Sequence, residues 1–406
     1  MGYWQLAKKH PRSLGFGFIH TFFSGLGQTH FVALYSPIIM SQFELSATQY
    51  GSLYSILTLI SGLFISFIGP LIDKKEARMM ALLIGVGLLF SQSLLMSLTN
   101  LWIVAIGLFG LRLFGQGLSS SLSSITVARF FTDQRGKALS LSQLGYPCFE
   151  GLITPLGAIV LTSWGLSSLS FIILFVIAFL FIPATILMTK NLPEFNLPRL
   201  SNSTGSSEKV NSSGWSRKEV FTNKTIYFLL PQTLMPPFAL TGVFFHQAII
   251  AEQKTWSLSL MATGLSFFAL GRILNTFVTG PMVDKYKAIN LFPFYQIPLS
   301  ISFLILAVTN HTWGPALCFF LFGLTVGSGG PIKSAIWAEL YGVKHLGAIK
   351  SALATLMIFS TAASPALFGW IIDKMQSSSA LLLGLAGSSF IFAILSFVGL
   401  KSIQKK

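Results

Sequence analysis

Apolar positions in this chain follow neither a single helical stripe nor the alternation of a half-buried strand. They run on for twenty residues or more, stop at a short polar cluster, and begin again. A hydrocarbon core about 30 Å thick takes about 20 apolar residues in helical conformation, so each run predicts a membrane-spanning helix. Twelve are predicted: 13–40, 49–72, 77–98, 101–129, 137–162 and 166–189, then 225–250, 258–283, 288–309, 313–340, 346–372 and 380–400. Residues 190–224, rich in Ser and Asn, read as a flexible linker. The expected fold class is therefore an all-α membrane protein, with twelve transmembrane helices in two six-helix halves, 1–189 and 225–406. The first run follows Lys8, Lys9 and Arg12 as a signal peptide would, but it is too long and has no small-residue cleavage site, so it is expected to stay as a helix.

Composition agrees with this pattern and removes the alternatives. Of 406 residues 52% are hydrophobic and 10% charged, where a soluble domain carries about a quarter charged. The two cysteines, Cys148 and Cys318, lie in separate apolar runs and read as small buried hydrophobes. The net charge of +15 would suggest a nucleic-acid partner in a soluble protein. Here 22 of the 27 Lys and Arg fall on alternate connecting segments, Lys254 and Lys374 fall on the others, and three lie inside spans. The positive-inside rule then places both termini in the cytoplasm, and the basic balance reports topology, with no nucleic acid expected.

The chain also repeats itself. Gly69-Pro70-Leu71-Ile72-Asp73-Lys74 closes the second run and Gly280-Pro281-Met282-Val283-Asp284-Lys285 the eighth, 211 residues later; Gly136 and Gly347 keep that spacing. Parallel halves joined by a linker are the architecture of carriers that work by alternating access. Asp73, Lys74, Arg78, Arg135, Asp284 and Lys285 sit at the predicted cytoplasmic helix ends, where charge pairs could latch one state; simple interfacial anchoring is the plainer alternative.

Four charges are predicted deep within spans. Counting 1.5 Å per residue, Arg112, Glu150, Arg272 and Lys333 lie about 16, 21, 18 and 12 Å from a helix end. A charge at the middle of a spanning helix costs about 2.5–3.5 kcal/mol, so each is a candidate functional residue. Three cations against one acid leave an excess that an anionic substrate would neutralise. An Arg fork grips a carboxylate with two bonds and a Lys adds a point charge, so Arg272 and Lys333 are expected to bind one or two carboxylates. Lys333 reads alternatively as a snorkelling lysine. Glu150 reads either as the structural partner of Arg112 or as a carboxyl that loads and releases a proton. His246, beyond Pro236-Pro237, which should interrupt the seventh run, is a candidate substrate ligand or a carbonyl-bonded buried imidazole; His20 and His30 read more plainly as buried imidazoles. No metal or other cofactor is implied, because the histidines lack ligand spacing and paired acids.

Across all twelve runs the chain resembles the major facilitator superfamily. Its loop between helices 2 and 3, roughly G-x-L-x-D-[RK]-x-G-[RK]-[RK], is matched by Gly69, Leu71, Asp73, Lys74 and Arg78, with Glu76 and Ala77 departing from it; the second copy has Lys287 where the family has glycine. Arg129-Phe130-Phe131 followed by Arg135-Gly136-Lys137-Ala138 resembles bacterial relatives of monocarboxylate transporters and oxalate:formate antiporters. This resemblance implies a secondary transporter rather than an enzyme: a monomer in a bacterial inner membrane that moves a small organic anion by proton coupling or exchange, with Arg272 as a substrate-binding residue. Proton-driven efflux of drug-like or siderophore-like compounds is the competing reading. It is disfavoured because Gly151 to Gly157 lacks the Gly-Pro pair that efflux antiporters often carry.

Overall fold

The computed structural model describes residues 3–131, 135–190, 215–342 and 345–404, so the middle of the predicted linker lies outside the described residues. All regular structure among the described residues is helical, and eight helices are long and apolar enough to cross a membrane. The main helices are α1 (Pro11–Phe23), α2 (Ala47–Lys74), α3 (Ala77–Ser97), α4 (Leu101–Phe130), α5 (135–164) and α6 (166–189). After the linker come α7 (Lys224–Phe245), α8 (Leu258–Tyr286), α9 (Ile297–Val308), α10 (Gly314–Tyr341), α11 (Leu346–Met375) and α12 (Ser378–Gln404).

Helix ends follow local chemistry. The Asn100 side chain accepts from the Trp102 amide at 2.8 Å to open α4, Asn223 does the same for Thr225 at α7, and Ser257 accepts from Leu260 at α8. These oxygens satisfy amides that a first helical turn leaves bare. The apolar stretch from Lys137 to Thr189 is 53 residues long, about 80 Å if it were one helix. Gly165, at φ 79°, turns the chain there and divides it into α5 and α6, as the two predicted runs require.

Three predicted spans are not uniform. The first is not one helix over 13–40: α1 ends at Phe23, Ser24–Gly27 forms a tight turn, Gln28 is extended, and helix resumes over Thr29–Val32 and Ser36–Gln42. The ninth begins as a short helix, Ala288–Leu291, and resumes only at Ile297. The seventh shows the opposite departure, because α7 runs on through Pro236 and Pro237 and stops at His246. Pro236 has no amide hydrogen to give to the Gln232 carbonyl four residues back. The Tyr295 hydroxyl (2.7 Å) and the Gln296 side-chain amide donate to that carbonyl instead, so it is not left bare where the helix passes the proline.

The chain divides into two compact units, Met1–Leu45 with Leu53–Gly205, and Ser46–Ser52 with Ser206–Lys406. In the first, Leu6, Leu14, Val127, Phe131 and Ala138 form one buried cluster. In the second, Val220, Ile226, Phe292, Tyr295, Trp337 and Ile349 belong to a larger one. Large apolar side chains such as Phe175 and Phe179 point outward, as lipid-facing positions do.

The loops of the second unit are tied by specific bonds. Lys254, 5% exposed, donates from Nζ to the Ala307 carbonyl at the end of α9, and burial holds its ammonium below the usual lysine range. The Glu339 carboxylate accepts from the Ala288 and Ile289 amides at 2.8 and 2.9 Å and so caps the short helix Ala288–Leu291 that follows α8. Just before it, Lys287 has φ 64° and ψ 146°, a region that glycine alone occupies comfortably. A glycine would take this conformation without strain, and the residue here is lysine. Lys287→Gly is expected to relieve about 1 kcal/mol of strain and to raise the unfolding midpoint by a few degrees. An unchanged or lower midpoint by fluorescence thermal denaturation would rule out that strain.

Candidate functional site

In the first unit the break in the first span supplies the site. Where Ser24–Gly27 leaves the helical path, the Gly27 carbonyl is available to a partner other than its own helix. Arg112 Nη1 donates to it at 3.3 Å and to Thr29 Oγ1 at 3.4 Å, and the guanidinium lies 5.0 Å from the Tyr54 ring centre. The Tyr54 hydroxyl in turn donates to Thr29 Oγ1 at 3.1 Å. Arg112 is 5% exposed, its Nε has no partner, and no carboxylate pairs with it among the described residues.

Glu150 turns to the same segment but to a different residue. Its carboxylate lies 3.7 Å from His30 Nε2, while His30 Nδ1 is 3.1 Å from Thr154 Oγ1. Of the two readings of Glu150, the pairing with Arg112 is not found among the described residues, and Glu150 lies beside His30. Both charged residues lie in π-helical stretches, Arg112 in Leu111–Ser119 and Glu150 in Phe149–Ile153, a geometry that recurs at functional sites. His20 belongs to a local lock: Ser119 Oγ donates to the His20 carbonyl at 2.8 Å and so accepts from Nδ1 at 3.0 Å. That places a proton on Nδ1 and leaves Nε2 without a partner.

In the second unit α8 and α10 approach closely. A Cβ at Gly323 would come within 2.8 Å of the Arg272 amide nitrogen, and one at Gly327 would run into its carbonyl. Asn275 Nδ2 donates to the Leu324 carbonyl at 2.6 Å, and Thr276 Oγ1 to that of Gly327 at 3.2 Å. The Arg272 backbone is therefore fixed, and its partly buried side chain leaves from a rigid crossing. Lys333 lies six residues beyond Gly327, partly buried, with the Tyr295 ring and its own Cε both close to Gly329. It has no ion pair among the described residues. His246, 2% exposed, donates from Nε2 to the Pro365 carbonyl at 2.9 Å and so takes the carbonyl-bonded arrangement.

Of the gate candidates, Arg78, Asp284 and Lys285 are exposed, whereas the side chains of Asp73, Lys74 and Arg135 lie outside the described residues. Arg129 Nη1 reaches the Ile72 carbonyl near the end of α2 at 3.4 Å. Sequence reasoning missed Thr29 and Tyr54 as partners of Arg112; the glycines at 25 and 27, beside a polar Gln28-Thr29-His30 run, were the available signal. It also missed Asp373, whose carboxylate accepts from the Thr48 amide at 2.7 Å and from its hydroxyl at 2.5 Å, capping α2.

Comparison with known proteins places these features in a family. The profile of the Major Facilitator Superfamily matches residues 17–355. No curated protein matches the sequence. Among solved structures, the nucleoside transporter NupG matches with a TM-score of 0.69 at 12% identity, over 96% of this chain and 98% of its own. A mutant of the peptide transporter POT matches at 0.70 and 15% identity, over 95% and 93%. A bacterial homolog of the human lysosomal transporter Spinster, inward-facing and occupied, matches at 0.61 and 15% identity, over 96% and 94%. At these identities the likeness is one of fold.

Proposed function

Because the chain belongs to the Major Facilitator Superfamily and is a multi-pass membrane transporter, we propose that it moves a small organic anion, a mono- or dicarboxylate, by alternating access between two six-helix halves. The observation that carries this reading is the Arg112 guanidinium, buried within a spanning helix, held by neutral oxygens and an aromatic face, with no carboxylate beside it among the described residues. A buried charge left unneutralised is costly, and a carboxylate entering the site offsets that cost. In the second unit Arg272 and Lys333 offer a fork and a point charge, which would suit a second carboxylate.

The transport cycle we infer uses Glu150 as the proton carrier. With its carboxyl charged, Glu150 pairs with His30; with it protonated, that attraction is lost and the segment carrying Gly27 and Thr29, which holds Arg112, is released. One proton event is thereby linked to the group that meets the substrate. The gate residues Asp73, Lys74, Arg78, Arg135, Asp284 and Lys285 serve at the cytoplasmic ends, in the bacterial inner membrane with both termini inside. His246 contributes a fixed imidazole near the path. The protein falls with relatives of monocarboxylate and oxalate:formate carriers.

Uptake of radiolabelled mono- and dicarboxylates into proteoliposomes, with and without an inward proton gradient, tests the reading. One acid is expected to accumulate against its gradient. No flux of any carboxylate, together with transport of cationic or lipophilic compounds, would replace it with the efflux reading.

A further inference from the structure

Two surface grooves, one in each unit, combine paired cations with an apolar wall. In the second unit a groove of about 540 Å³ is lined by Arg217, Lys218, Phe221, Ala352, Thr355 and Leu356. In the first a groove of about 450 Å³ is lined by Arg12, Leu187, Met188 and Lys190. The four cations are exposed and, among the described residues, none has an ion-pair partner. The groove of the second unit is lined in part by the short helix Arg217–Thr222, and in the first unit Arg12 stands three residues past the short helix Tyr3–Lys9.

Each of these two segments carries a tryptophan near its start, Trp4 within its helix and Trp215 two residues ahead of its own. Trp4 and Trp215 are separated by 211 residues, the spacing that relates the two gate loops, and they are 73% and 40% exposed. An exposed tryptophan beside basic side chains at the end of a spanning helix marks the headgroup level of a bilayer. A free phosphate would need only the cations; the apolar walls, Leu187 and Met188 in one groove and Phe221, Ala352 and Leu356 in the other, ask for a ligand with a hydrocarbon portion. We propose that each groove binds one anionic phospholipid, its phosphate between the two cations and an acyl chain along the apolar wall. Binding here is independent of the transported substrate.

Delipidated full-length protein titrated with phosphatidylglycerol, with bound lipid counted by native mass spectrometry, tests this. Up to two phosphatidylglycerols are expected per chain. Arg217→Gln with Lys218→Gln, or Arg12→Gln with Lys190→Gln, should each remove one, with an affinity loss of about 30-fold, since a basic side chain near an anionic surface contributes roughly fivefold. Leu356→Gln and Leu187→Gln, which keep every charge, should weaken retention through the acyl wall. Phosphatidylcholine should be retained poorly, and soluble glycerol phosphate should not displace the lipid. Equal retention of both lipids, unchanged retention in the four-fold variant with wild-type gel-filtration behaviour, or displacement by glycerol phosphate would each overturn the proposal; the last would mark a simple anion site.

Discussion

Arg112→Met is expected to abolish carboxylate transport while leaving the protein as heat-stable as the wild type, or slightly more so. The two effects separate because of how the guanidinium is held. Its partners are the Gly27 carbonyl, Thr29 Oγ1 and the face of Tyr54, none of them charged. Methionine therefore strands no buried carboxylate, and it removes a cation whose placement in the membrane costs about 2.5–3.5 kcal/mol. Thr29 keeps its bond from Tyr54, so one neutral acceptor, the Gly27 carbonyl, bears the loss at about 1 kcal/mol. Transport has no such compensation. Two charge-assisted bonds to a substrate carboxylate are worth about 3 kcal/mol or more, a loss of at least about 100-fold in initial uptake. Arg112→Lys should not rescue it, because an ammonium cannot span two oxygens and an aromatic face together. Arg272→Ala should show the same loss of uptake. Uptake at the wild-type rate would remove Arg112 from the substrate path, and loss of uptake together with a midpoint several degrees lower would make it a packing residue.

Glu150→Gln is expected to abolish proton-driven accumulation and to spare exchange. Gln fills the same space and can still bond to His30 Nε2, yet it cannot carry a proton across. An inward gradient of one pH unit supports about tenfold accumulation by a one-proton symporter, since one unit is 1.36 kcal/mol. In Glu150→Gln proteoliposomes the ratio should fall to about one, while counterflow of labelled acid against unlabelled acid continues. His30→Gln should retain some accumulation, because the carboxyl survives. Accumulation by Glu150→Gln equal to wild type would sink the proton role, and loss of counterflow too would mean that Glu150 supports the structure of the site.

The parts of the fold that could be read from the sequence were those with strong one-dimensional signals. Long apolar runs are dictated by the thickness of the bilayer, so each of the helices that carries Arg112, Arg272 or Lys333 stands where its run predicts. The turn between α5 and α6 at Gly165 also follows the boundary between two runs. What could not be read depends on pairing in three dimensions. The unbroken path of α7 through Pro236 and Pro237 required Tyr295 and Gln296, some sixty residues on, to satisfy the Gln232 carbonyl. Beside the break after Phe23, Arg112 and Glu150 make separate contacts, to Gly27 and to His30, and do not form the pair that was one of the two readings of Glu150. Hydropathy does not register such a break, because Gly25, Leu26 and Gly27 look as apolar as a helix. The Lys287 conformation was foreshadowed only by the family's glycine at that position.

The π-helical stretches around Arg112 and Glu150 have one further consequence. A wide turn holds one residue more than an ordinary turn, and that surplus can pass along a helix by exchanging one hydrogen bond at a time. Each residue that it passes rotates by about 100° around the helix axis, the angle between successive residues at 3.6 per turn. A side chain can thus be swung from one wall of its helix toward another without any helix being unwound or displaced as a whole. The membrane charges on α4 and α5 sit on built-in swivels.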